Sequence, residues 1–142
     1  EQAQQQTDMI QAVLGGIGAV SLFVAAIGIA NTMMMSIYER TKEIGVMKVL
    51  GCDMRNIQAM FLMEAADIGL VGGIVGLGIS YLISMIINKV VAASGNMSSL
   101  SYIPLWLAGA SVIFAVVIGM AAGYFPSKRA MKLSPLAAIR NE

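Results

Sequence analysis

The sequence predicts an all-α membrane protein. It has three transmembrane helices, the first extended outward as a stalk, with a short amphipathic cytoplasmic helix between the first and second. Three observations predict this. Of 142 residues, 58% are hydrophobic and only 12% charged, a balance that excludes a water-soluble domain of this size. The apolar residues fall into three long runs, each able to cross a bilayer. Twelve of the seventeen charged residues are gathered into the segment Glu39 to Arg55 and the end of the chain.

The first run lies between Asp8 and Glu39, thirty residues without a charge. As a helix it would be about 45 Å long against a hydrocarbon core of about 30 Å, so it should protrude. Residues 1–8, EQAQQQTD, are polar and free of Gly and Pro, and read as a solvated helical lead-in, the lower end of a stalk. Residues 9–38 form the first transmembrane helix, and 39–52 the short cytoplasmic helix. Residues 53–89 are the second span, 90–102 an outer loop, 103–125 the third span and 126–142 a cytoplasmic tail. Pro104 suits the first turn of a helix and Pro126 a stop. The first run lacks a basic leader and a small-residue cleavage site, and further spans follow it, so it is not a signal peptide.

Orientation follows from the cations. Arg40, Lys42, Lys48 and Arg55 lie between the first two spans and Lys128, Arg129, Lys132 and Arg140 after the third, leaving only Lys89 of the nine on the other side. The face holding eight of them is expected to be cytoplasmic, with the N-terminus of the segment outside. The net charge of +1 gives no reason to expect nucleic-acid binding.

Within ERTKEIGVMKVLG, Ile44, Met47 and Gly51 share one helical face and Val46 and Leu50 an adjacent one, with Arg40, Lys42, Glu43 and Lys48 around them. Gly51 can end this helix in a left-handed conformation, and Asp53 can cap the next. Spacing alone leaves two readings open: a connector lying on the headgroups, or a docking element for a cytoplasmic partner.

GIANTMMMSIYERTKEIGVMKVLGC followed by IQAMFLMEA resembles the signature of the MacB-like and FtsX-like permease family of ABC transporters. The ending GYFPSKRAMKLSPLAAIRNE is similar to that family's ending, and the resemblance extends from about Ala19. It departs at Val49 and Cys52, where Ala is usual, and at Asp67, where an apolar residue is expected. The resemblance implies the carboxy-terminal membrane module of a longer permease in a bacterial plasma membrane. In it, Glu39, Arg40, Lys42, Glu43, Ile44, Met47, Lys48, Leu50 and Gly51 would form a coupling helix seated on a cytoplasmic ABC ATPase. It further implies a second permease copy, making a homodimer, and an extracytoplasmic adaptor. ATP and Mg would be bound by the ATPase and no cofactor by this chain. The family couples ATP hydrolysis to work outside: export of peptides, drugs or antibiotics, lipoprotein handling, or activation of cell-wall hydrolases. On this reading the apolar face with Ile44 and Met47 seats in the ATPase, and Arg40, Glu43 and Lys48 set its register at the rim.

Other features fit packing roles. Gly69, Gly72, Gly73 and Gly76 on the second span, and Gly119 and Gly123 on the third, allow close helix approach within the chain or across a dimer. Asn31 is placed to hydrogen-bond across helices. Glu64 and Asp67 are costly if they face lipid, and their presence supports a rival reading, a small independent oligomeric channel or scaffold. Met33 to Met35 point in different directions around a helix and suit packing among core side chains and membrane lipids better than metal binding. Cys52, the single cysteine of a chain without His, can form neither an internal disulfide nor a zinc site. No P-loop and no catalytic constellation occurs, so the chain is expected not to be an enzyme by itself.

Overall fold

The computed structural model describes residues 2–94 and 101–132 as four helices and their connections. They are α1 (Gln2–Glu39), α2 (Thr41–Val49), α3 (Met54–Ala93) and α4 (Leu105–Lys132). Three of them, α1, α3 and α4, are long and apolar enough to cross a membrane. At 1.5 Å per residue α1 and α3 are each about 60 Å long, so both outrun the hydrocarbon layer. α1 runs unbroken from the polar glutamine stretch into the span, and its residues 2–21 are all exposed within the chain.

The largest interface joins α3 to α4. Gly69 lies against Ala115 and Val116, Gly73 against Val112 and Ala115, and Ala65 against Gly119 and Gly123. Rising numbers on α3 meet falling numbers on α4, so the two form an antiparallel hairpin. Backbones touch here: a Cβ on Gly69 would lie 2.5 Å from the Ala115 carbonyl oxygen, and one on Gly119 2.6 Å from that of Ala65. Only glycine permits this approach. Gly72 and Gly76, one residue out of phase, meet none of the described residues within 4 Å. The stripe is therefore split, with Gly69, Gly73, Gly119 and Gly123 inside the hairpin and the other two outside it.

At the far end, one side chain closes the hairpin. The Asn88 amide nitrogen donates to the Ser101 carbonyl at 2.7 Å, and its oxygen accepts from the Ser101 N–H at 3.0 Å. Ser84 adds a hydroxyl contact of 2.7 Å to Ser101. A side-chain amide thus satisfies both backbone groups of a residue that no helix or sheet would satisfy. Residues 90–93, expected in the loop, continue α3.

The core lies at the other end, beside α2. Met33 and Ile37 of α1, Ile44 of α2, Ile57, Phe61 and Ala65 of α3, and Ala130 of α4 form one buried cluster. α1 packs mainly on α4 there and touches α3 less. Pro126 does not stop the third span as expected: α4 continues through it to Lys132. Proline removes one helical hydrogen bond and crowds the preceding turn. Pro126, Ser127 and Ala130 are all buried, and their packing holds the last turns in place. The tail residues Leu133, Pro135, Leu136, Ile139 and Arg140 lie outside the described residues.

Candidate functional site

The cytoplasmic element predicted between the first two spans is built from three local devices. At its start the chain bends at Arg40, and the Thr41 hydroxyl donates to the Tyr38 carbonyl at 2.7 Å and the Ile37 carbonyl at 3.1 Å. These would otherwise be open acceptors at the end of α1. At its end, the Cys52 N–H donates to the Met47 carbonyl and the Gly51 N–H to that of Lys48, with Gly51 at φ +83°. That pair is the Schellman arrangement, which glycine adopts without the cost a Cβ would impose. One residue on, the Asp53 carboxylate accepts from the Arg55 N–H at 3.2 Å and caps α3.

α2 turns one face into the chain and the other to solvent. Ile44 has 0% exposure and sits in the core cluster, with Met47 packed against it. Gly45 is buried too. This corrects the expected seating: Ile44, and Met47 in part, pack against the chain's own helices, so Ile44 is not available to a partner. The outward face carries Lys42 and Glu43 at its start and Val46, Val49 and Leu50 toward its end, the last three 50%, 65% and 80% exposed. Glu39 and Gly51 flank the helix and are exposed as well.

Two of the expected rim charges are used internally. The Lys48 ammonium donates to the Ala130 carbonyl at 3.1 Å and the Met131 carbonyl at 2.8 Å, capping the negative end of α4. Desolvation by burial lowers its pKa from the ordinary lysine value. Arg40 lies 3.9 Å from Glu64, whose other oxygen accepts from Ser36 at 3.4 Å. Glu64 is therefore engaged by α1. Asp67, one turn further along α3, is exposed, and among the described residues it makes no ion pair. Asn31 is exposed and makes no interhelical hydrogen bond among the described residues. The described residues contain no cluster able to hold a metal ion.

Sequence reasoning missed the Lys48 cap, the inward role of Ile44 and the Asn88 clasp. Each depends on contacts far apart in the chain.

Three spanning helices with a short helix wedged under them define a helical membrane module, all of whose described elements meet at one end. A family model described as FtsX-like permease C-terminal matches residues 15–135, and the chain belongs to that family. It is 38% identical over 147 residues to the ABC transporter permease MJ1507 of Methanocaldococcus jannaschii, covering 99% of this chain and 37% of that protein. It is 40% identical over 136 residues to the ABC transporter permease YtrF of Bacillus subtilis, covering 89% of this chain and 31% of the relative. With the macrolide export ATP-binding/permease protein MacB of Neisseria gonorrhoeae the identity is 35% over 146 residues, all of this chain and 21% of MacB. The chain thus spans a fifth to little more than a third of the length of these relatives.

Proposed function

We propose that this module transmits force in an ABC transporter permease, with α2 as the coupling element between a cytoplasmic ATPase and the membrane helices. One observation carries the reading: α2 is seated in the core through a fully buried Ile44 and tied to the end of α4 through Lys48. It also presents Val46, Val49 and Leu50 to solvent. Load applied to that outer face reaches α1, α3 and α4 together, because all four helices share the cluster beneath it. α1 continues about 60 Å from this point and would carry the displacement to the outer side as a stalk.

In this account the ATPase holds ATP and Mg, a second permease copy makes the assembly a homodimer, and an extracytoplasmic adaptor receives the motion. The module supplies the transmission step and is not itself an enzyme. Choice of cargo, such as peptides, drugs or lipoproteins, falls to parts of the permease outside it. The cation distribution supports placing α2 on the cytoplasmic side of a bacterial plasma membrane. The rival channel reading loses support because Glu64, one of its two acidic residues, is engaged by Ser36 and Arg40 within the chain.

The test is Val46→Asp or Leu50→Asp in the full-length permease. A carboxylate pressed into an apolar groove without a partner is costly, so either change should release the ATPase or abolish its stimulation. Membrane levels should stay at the parent's, since both side chains are exposed. If both variants bind and stimulate the ATPase like the parent, α2 is a connector only.

A further inference from the structure

α1 and α4 do not close on each other completely at the α2 end. A cleft of about 460 Å³ lies between them, with Lys128, Arg129 and Lys132 of α4 among its lining residues, beside Asn31 and Met34 of α1 and Phe125 of α4. We propose that this cleft holds the phosphate of an anionic phospholipid, with the acyl chains leaving over Met34 and Phe125.

Charge and polarity both point that way. Among the described residues, three cations line the cleft and no carboxylate does. Among the described residues none of the three makes an ion pair; Lys128 lies only loosely over the Tyr124 ring, 6.0 Å from its centre. Lys48 already occupies the last carbonyls of α4, so Arg129 and Lys132 are not needed as caps there. A smaller recess of about 180 Å³ shares Met34, Arg129 and Lys132 and extends along α1 to Ile37 and Tyr38.

The occupant has to match an apolar wall as well as a charge. Phe125 is 79% exposed beside the cations, and Met34 belongs to the long uncharged run of α1. Free phosphate would satisfy the cations and leave these apolar walls uncovered. An acidic protein segment would have to enter beside residues of the membrane span. A phospholipid matches both: basic recesses between membrane helices at the headgroup level suit anionic headgroups.

Native mass spectrometry of the full-length permease, purified with equal phosphatidylglycerol and phosphatidylcholine, tests the proposal. The parent should retain phosphatidylglycerol in preference. Arg129→Gln and Lys132→Gln should each lower its affinity about five-fold. Met34→Trp, which fills the cleft without changing charge, should also expel the lipid. Arg55→Gln, an exposed cation outside the cleft, should leave retention unchanged. Equal retention of both lipids, no loss in the cleft variants, or an equal loss in Arg55→Gln would overturn the proposal. So would displacement of the lipid by inorganic phosphate, or loss of ATPase association with lipid retention intact, which would assign the cations to a protein partner.

Discussion

Glycines in one stripe of α3 and α4 should respond to the same substitution with opposite signs. In Gly119→Ala the new methyl would stand 2.6 Å from the Ala65 carbonyl oxygen and 3.1 Å from the Gly69 Cα, and both are backbone atoms that no rotamer change can move. To reach ordinary contact at 3.4 Å the helices must part by about 0.8 Å along their tightest line. Overpacking of this kind costs about 1–3 kcal/mol, offset by up to about 1 kcal/mol gained on replacing a helical glycine, which leaves a net cost of up to about 2 kcal/mol. Gly72→Ala meets none of the described residues within 4 Å and replaces a poor helix former, so it should be neutral or gain up to about 1 kcal/mol. Reversible unfolding of the two variants in mixed micelles, followed by helical circular dichroism, measures both. A cost in Gly72→Ala equal to that in Gly119→Ala would refute the assignment of the hairpin interface. So would a neutral Gly119→Ala.

Further expectations concern the seat of α2. Ile44→Ala removes a fully buried side chain from the core and should cost about 2–5 kcal/mol in the same unfolding assay, where Val46→Ala should cost far less. Lys48→Met keeps the length of the side chain but removes the cap on α4; amide exchange at the last turn of α4 should accelerate by about ten-fold, with the rest of α4 unchanged. Gly51→Ala places a Cβ at φ +83° and should cost about 1–2 kcal/mol, loosening the turn between α2 and α3.

The spans were legible because long apolar runs, uncharged over thirty residues in the first and broken only by Glu64 and Asp67 in the second, leave a bilayer as the solvent that fits. The turn at Gly51 and the cap at Asp53 were legible for a similar reason, since each acts on backbone groups within a few residues of itself. The orientation of α2 was not. It has apolar residues on two faces, Ile44 and Met47 on one and Val46, Val49 and Leu50 on the other, and a pattern that is apolar twice does not say which side is buried. Periodicity likewise could not separate Gly69 and Gly73 from Gly72 and Gly76, which differ only in phase with respect to a helix some forty residues away. Pro126 misled for a different reason: the local rule against proline inside a helix was outweighed by its burial between packed helices.

The coupling proposal rests on which surface of α2 meets the ATPase, and site-specific photocrosslinking reads that directly. A photoreactive residue in place of Val49 or Leu50 of the full-length permease, irradiated in membranes, should crosslink to the ATPase. The same residue at Val24 on α1, exposed but within the membrane run, should not. ATPase adducts at Val49 and Leu50 alone are the predicted result. No adduct at either position, or equal yield at Val24, would contradict the account.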